Sequence, residues 1–450
     1  MHLSRFVLRY DDVLPGEHVL YDVISDRFLG VDAATLETLE RWREAGLPED
    51  AEEAERSVAE QLHAQGFLVA DDAEDDLRVR AFLERAAEGV PGAMYVTLMP
   101  TLACNLACTY CFQKEHPAFE RMKADTEAAT VEWILRKVDV AASRKLVVHY
   151  FGGEPLTRKD LLLRTAEVFS ASMAARGASF EWEITTNGLG LEVDFVRALA
   201  RFGRGAIKVT LDGDEETHDA ARVYRSGKGS FAEIFERTRQ VALECPEVRL
   251  RVGGNFRAGD GPSYERLLDR MEAAGLKGKL DQVRFKPVID TTRDSGGTCT
   301  SCASIEGESK LDQALAASVA RRGLSRAPVK KTPSGPCQLH WKHSYIIDPD
   351  GLVYKCPAVA GRPELAVGSV QLSRAPEKLA PLLELRPWEQ CGACPYLPVC
   401  VGGCLGGKYL ETGRKDQVFC RKPHFERAFR DEVTARYRAE FGPSDPPQRA

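Results

Sequence analysis

Between Ala93 and Val288, apolar runs and amphipathic helical patterns alternate along the chain, and this alternation restricts the fold more than any other feature. Strands are predicted at 93–99, 145–151, 179–186, 206–212, 248–256 and 282–288. Apolar residues at helical spacing predict helices around 125–141, 159–175, 191–202, 231–243 and 264–274. Strands separated in this way pair in parallel through right-handed crossovers, so the region reads as α/β with a parallel sheet. Such sheets carry their chemistry at the C-terminal ends of the strands. The motifs of this chain fall at those ends.

Cys104, Cys108 and Cys111 follow the first strand in a Cx3CxxC spacing, with Tyr110 before the third. Three thiolates so close together can hold three corners of a 4Fe–4S cubane, whose fourth iron normally takes a fourth thiolate. Left open, that iron can take an exogenous ligand. Two plainer readings compete. Cysteine packs as a small hydrophobe, and closely spaced cysteines also bind zinc. The second strand ends in Phe151, Gly152, Gly153, Glu154 and Pro155. The glycines permit close approach of the backbone to a ligand, and the carboxylate can bind a cationic amine. Thr185, Thr186, Asn187 and Gly188 end the third strand, and Leu211, Asp212 and Gly213 the fourth. Short polar residues there also serve as caps and turns.

The cysteine triad with its aromatic, followed one β/α unit later by Phe151–Pro155, resembles the radical SAM superfamily. That resemblance implies an open, partial (β/α)6 TIM barrel. It implies a 4Fe–4S cluster on Cys104, Cys108 and Cys111 whose open iron chelates S-adenosylmethionine. One electron then cleaves this cofactor to a 5′-deoxyadenosyl radical, while the protein orients and shields it. On the same resemblance Tyr110, Gly152, Gly153, Glu154 and Pro155 belong to the cofactor site, with Glu154 on the amino group. The stretch Asp212–His218, with Arg222 and Gly227–Phe231, is similar to the corresponding stretch of maturases in this superfamily. It makes Thr186, Asn187 and Asp212 candidates for the ribose, carboxylate or substrate side, and Arg222 for the cofactor carboxylate. Asp212 is also the candidate catalytic base. His218 reads either as a direct participant or as a structural hydrogen-bonder, and Asn255 ends the fifth strand near the site.

The chain has 13 cysteines and begins without an apolar secretion signal, which suggests metal ligation in a reducing compartment rather than disulfides. Cys337, Gly351, Cys356, Cys391, Cys394, Cys400, Cys404 and Cys420 are ordered as in the SPASM domain, over residues 333–424. That resemblance implies a cysteine-rich domain with one or two auxiliary 4Fe–4S clusters. One would take Cys391, Cys394, Cys400 and Cys420, and the other Cys337, Cys356 and Cys404. The second set is one ligand short. Cys302 or Cys299 can complete it, or the site stays open to substrate. A zinc ribbon is the alternative, and Cys245, standing alone, reads as core packing. Sulfatase-maturing members have an aspartate where this chain has Pro357, which argues against formylglycine formation and leaves Asp212 or Asp348 as possible bases.

At 450 residues the chain exceeds one ordinary core. Residues 1–75 read as a small winged-helix-like α+β module, with strands near 5–10, 19–24 and 67–70 and helices at 32–44 and 52–65. In peptide-maturing relatives such a module recognises a leader peptide; a structural cap is the alternative. Residues 76–92 read as a linker helix whose acidic start, Asp71–Asp76, is expected to be solvated. The barrel then takes 93–290, a connector 291–332, the cysteine-rich domain 333–424, and a C-terminal helix with a disordered tail 425–450.

A net charge of −6 and a pI near 6.0 give no footprint for nucleic acid. No apolar run reaches membrane-spanning length. The expectation is a cytoplasmic radical SAM oxidoreductase that modifies a peptide or protein substrate, supplied with electrons by a flavodoxin or ferredoxin. A dehydrogenase or rearrangement enzyme on a small molecule is the second reading. A non-catalytic iron–sulfur or zinc protein is the third.

Overall fold

The computed structural model describes residues 1–111, 113, 121–288, 305–326, 335–371, 390–392, 394–414, 417–420 and 422–442, with backbone only at 305–309. Cys299, Cys302 and the tail from 443 onward lie outside them.

The N-terminal elements are β1 (His2–Leu3), β2 (Val7–Leu14), β3 (Glu17–Asp22), β4 (Arg27–Val31), α1 (Ala33–Ala45), α2 (Glu53–Gln65) and β5 (Leu68–Val69). β2, β3 and β4 form an antiparallel sheet, and β1 pairs with β5. The sequence reading lacked β4. A tight turn creates it: Asp26 adopts a φ of 57° and donates its N–H to the Asp22 carbonyl at 3.0 Å. Asp32 caps α1 by accepting from the Thr35 N–H at 2.8 Å, and Gly66 ends α2 in the left-handed conformation. Leu36, Leu39, Trp42 and Leu62 bury their side chains against Leu20 and Phe67.

α3 (Asp72–Ala87) leaves Asp71 and Asp72 exposed, as expected of a solvated acidic run, and departs from that expectation at Asp75. Its helical period turns Asp75 inward, where it is fully buried. The carboxylate accepts from Ser4 Oγ at 2.7 Å, the Arg5 N–H at 2.9 Å and Arg78 Nη1 at 3.1 Å. Arg78 also reaches Asp22 at 3.0 Å, so the helix is bolted to the N-terminal strands by a buried charge network.

The α/β region follows as β6 (Ala93–Leu98), α4 (Ala124–Val140), β7 (Lys145–Tyr150), α5 (Lys159–Ala175), β8 (Ser179–Thr186) and α6 (Val193–Ala200). It continues with β9 (Arg204–Thr210), α7 (Glu215–Ala221), α8 (Phe231–Glu244), β10 (Arg249–Phe256), α9 (Gly261–Ala273), β11 (Gln282–Pro287) and α10 (Ile305–Arg321). β6 to β11 are neighbours in sequence order and all parallel. β6 and β11 do not pair, so this is a partial barrel. One face of the strands packs on the helices, with Trp182, Ile207 and Val252 meeting residues such as Phe169, Val196 and Leu267. Burying side chains of this size stabilises by about 1.5–3 kcal/mol each.

The sheet extends past the six predicted strands. β12 (Ser344–Ile347) lies parallel on β6, with Ser344 opposite Tyr95 and Ile347 opposite Leu98. β13 (Leu352–Tyr354) and β14 (Gly368–Ser369) add antiparallel strands, nine in all. The stretch read from sequence as cysteine-rich is thus hydrogen-bonded to the first barrel strand, whose edge would otherwise be open. The helix Lys422–Phe441 returns to the N-terminal sheet, packing Phe429, Val433 and Tyr437 on Val19 and Tyr21. Gly30 leaves the space for it, since a Cβ there would stand 1.9 Å from the Tyr437 hydroxyl. Among the described residues no helix is long and apolar enough to cross a membrane.

Candidate active site

The loop carrying Cys104, Cys108 and Cys111 leaves β6 and is hydrogen-bonded on both sides. On one side the Gly153 N–H donates to the Thr101 carbonyl and the Glu154 N–H to that of Ala103, each at 2.9 Å. On the other, Ala107 and Thr109 donate to the carbonyls of Val223 and Ala221 at 2.8 and 3.0 Å. The glycine pair makes this closeness possible. A Cβ on Gly152 would lie 2.2 Å from the Thr101 carbonyl oxygen, and one on Gly153 2.1 Å from that of Ala103. The sequence reading had them approach a ligand; their tightest approach is to the cysteine loop, while both also line the cavity beside it.

Glu154 is buried at the start of a short 3-10 helix, Pro155–Arg158, and its carboxylate caps the Leu156 N–H at 2.9 Å. It also accepts from Thr186 Oγ1 and the Asn187 N–H, both at 2.7 Å. Burial pushes its pKa up and these three donors pull it back. Pro155 is buried beneath, off the cavity wall. The Asn187 amide donates to Asn105 Oδ1 at 2.7 Å and lies 3.7 Å from the Cys104 sulfur. β8 and the cysteine loop therefore meet through Asn187.

A second network is built on Asp212. Its carboxylate accepts from the Asn255 N–H at 2.7 Å and from the Tyr110 hydroxyl, and lies 3.8 Å from Arg222. Arg222 donates to the Tyr110 oxygen at 2.7 Å. Neighbouring Asp212 and Tyr110 hold the buried guanidinium charged, against the cost of burial. Asp212 does not line the cavity and its oxygens are occupied, so this geometry lacks the free carboxylate that a base requires. Asp348 is likewise buried, accepting from the Asp350 and Leu352 N–H groups and from Tyr354 within a hairpin turn. His218 takes the structural alternative. Its Nδ1 accepts from the Asp212 N–H at 3.2 Å, which leaves Nε2 to donate to Ser230 Oγ at 3.1 Å. Burial drives its pKa down to about 3.

Between these networks lies a cavity of about 340 Å³. The three cysteines, Tyr110, Gly152, Gly153, Thr186, Asn187, Arg222 and Asn255 line it. Ala358, Cys404, Gly407 and Leu410, from the cysteine-rich region, line the same cavity. Lys208, Thr210, Gly253 and Lys286 complete it from the barrel strands, and Gln113 closes in from the cysteine loop. Sequence reasoning missed these residues. A lysine inside the apolar run of β9, and a glycine pair inside β10, were the available signals.

The C-terminal cysteines fall into two neighbourhoods. Cys356 feels Cys404 and Cys337, and burial above all pushes its thiol up to about 12. Cys400 is also pushed up to about 12 by burial, with added repulsion from Cys391, Cys394 and Cys420. Burial likewise takes Cys104 up to about 12, with Cys108 and Cys111 close by. Cys245 is buried in the barrel core, away from all three groups. Among the described residues no group of three or more His, Cys, Asp or Glu side chains converges as a single metal ion requires. A cubane instead spreads its thiolates over separate irons. Three soft thiolates on one loop, an amide beside one sulfur and a glycine-lined recess fit a cluster with an open position.

The open parallel barrel carries this loop at the C-terminal end of its first strand. Residues 98–250 match the family model described as the radical SAM superfamily, and the chain carries that domain. It is an enzyme domain that works with a 4Fe–4S cluster and S-adenosylmethionine. The chain is 22% identical over 355 residues to the cysteine-type anaerobic sulfatase-maturating enzyme of Clostridium novyi, covering 72% of this chain and 92% of that one. In fold it is similar to anSMEcpe with bound AdoMet and Cp18Cys peptide, with a TM-score of 0.59 at 15% identity over 76% of this chain and 99% of the other. It is also similar to Streptococcus suis SuiB bound to precursor peptide SuiA, with a TM-score of 0.51 at 13% identity, covering 94% of this chain and 99% of SuiB.

Proposed function

We propose that this chain is a radical SAM peptide maturase that oxidises or cross-links a residue of a peptide or protein substrate. The observation that carries the reading is one cavity lined by both the cysteine triad and Cys404. Bound at the triad, the cluster and S-adenosylmethionine supply a 5′-deoxyadenosyl radical able to remove a substrate hydrogen. The chain's own residues bind and shield. Cys104, Cys108 and Cys111 would hold the cluster. Gly152 and Gly153, backed by Glu154 through Leu156, Thr186 and Asn187, would receive the cofactor's amino group, Arg222 would take its carboxylate, and Thr186 and Asn187 its ribose side. Asp212 would act by positioning Tyr110, Arg222 and Asn255. The recess keeps water from the reacting atoms.

Cys337, Cys356 and Cys404 would form one auxiliary centre beside the cavity, and Cys391, Cys394, Cys400 and Cys420 a second, further toward the N-terminal sheet. Forming a bond from a substrate radical leaves a surplus electron, and a centre at Cys404 is placed to take it. Residues 1–75 would recognise a leader segment, and a flavodoxin or ferredoxin in the cytoplasm would supply the reducing electron. The peptides that accompany anSMEcpe and SuiB support a peptide substrate here.

The test is anaerobic reconstitution with iron and sulfide, then dithionite and S-adenosylmethionine, reading iron and 5′-deoxyadenosine. The reading expects roughly twelve irons per chain, four per cubane. Cys104→Ala, Cys108→Ala and Cys111→Ala should each lose deoxyadenosine formation, whereas Cys391→Ala should retain it. Zinc in place of iron, or clusters without cofactor cleavage, would overturn it.

A further inference from the structure

Three cations line the cavity, Lys208, Arg222 and Lys286, and no aspartate or glutamate does so among the described residues. Arg222 is committed to Tyr110 and Asp212. The two lysines project into the recess from β9 and β11, on either side of β10. The register sets Lys208 opposite Arg251 and Lys286 opposite Asn255. Between those positions β10 carries Gly253, over which Lys208 reaches: a Cβ on that glycine would stand 2.6 Å from the Lys208 Cε. Burial and the nearby charges of Lys286, Arg284 and Arg251 pull the Lys208 pKa down to about 8. Burial and Arg284 lower Lys286 as well, offset in part by Asp212 and by Cys404. Holding two ammonium groups in one recess is costly unless something anionic enters. The triad and Cys404 line the same recess, where substrate must sit if the proposed function holds.

We propose that Lys208 and Lys286 together bind a carboxylate of the peptide substrate, from a glutamate or aspartate side chain or from the chain's C-terminus. This rests on the peptide-maturase reading and deepens it. The residue undergoing hydrogen abstraction is then acidic or adjoins an acidic group, because the lysines border the same cavity as the triad. An ammonium pair suits this task, since it holds a carboxylate by charge-assisted hydrogen bonds without fixing one geometry.

The probes are three N-acetylated tripeptides: amidated glycyl-glutamyl-glycine, amidated glycyl-glutaminyl-glycine, and triglycine with a free C-terminal carboxylate. Each is titrated calorimetrically into reconstituted holoenzyme loaded with S-adenosylmethionine. The glutamyl or the free-carboxylate probe should bind about tenfold more tightly than the glutaminyl one. Which of the two does so identifies the source of the carboxylate. Lys208→Gln and Lys286→Gln should each close most of that gap. Equal binding of all three probes, undetectable binding included, overturns the proposal. So does a gap that survives both substitutions, with the variants altering only the electron paramagnetic resonance of the clusters. Deoxyadenosine formation is assayed in the same samples; its absence would defeat the catalytic reading, whereas the gap between probes is read by binding alone.

Discussion

Nη1 of Arg222 donates to the Tyr110 hydroxyl at 2.7 Å, tying the ring before the third cysteine to the turn that follows α7. The same hydroxyl meets Asp212 and lies 3.2 Å from the Asn255 amide. Removing it leaves buried polar groups short of a partner, at about 1–3 kcal/mol. Tyr110→Phe should therefore lower stability by that amount and weaken S-adenosylmethionine binding about tenfold. Chemical denaturation and calorimetry check the two effects; unchanged affinity would separate the network from the cofactor site.

The glycine pair makes a sharper contrast. Gly153→Ala drives a Cβ against the Ala103 backbone, which has no flexible end to yield, so the cysteine loop must shift. Reconstituted iron at the triad should fall several-fold. Gly227→Ala meets open space at a φ of 84° and should cost only about 1 kcal/mol, with iron content kept. Equal iron in both variants would show that the close approach is dispensable.

Asp75→Ala leaves the half-buried Arg78 with only the buried Asp22 as its acidic partner in the network. Losing one member of such a network costs about 3–5 kcal/mol. Asp72→Ala, on an exposed side chain one turn earlier, should stay within about 0.5 kcal/mol. Urea midpoints of the two variants test this directly.

His218 sets an acid limit. Unfolded, it takes a proton near its ordinary pKa, whereas the folded chain resists until about 3. Below pH 6.5 the unfolded state therefore binds more protons, and stability falls as pH drops. The loss from this residue is about 2 kcal/mol between pH 7 and pH 5. His218→Asn, whose amide oxygen can replace Nδ1, should be less stable at pH 7 yet show a shallower acid slope. Parallel slopes in denaturation at the two pH values would reject the assignment.

The six barrel strands and most of their helices were legible because hydrophobic period is a local property, and their observed bounds differ from the reading by only a few residues. The cysteine spacings were equally legible, since a loop that presents several thiolates together must bring them close in sequence. β4 escaped because its turn depends on one aspartate at positive φ. α7 escaped because seven residues, five of them polar, carry little periodicity.

What the sequence determined alone is the chemistry available: thiolates, a glycine pair with its carboxylate, and a parallel sheet to carry them. What only the tertiary structure decided is which groups meet. Asp75 turns inward because packing of α3 selects its face, and Asp212 becomes an anchor because Tyr110 from the cysteine loop and Asn255 from β10 converge on it. β12 joins β6, and Cys404 comes to line one cavity with the triad. Lys208 and Lys286 are ordinary strand lysines until the barrel brings both to one cavity, where two ammonium groups become a site. Contacts of this kind depend on how the chain closes in space, and no local pattern records them.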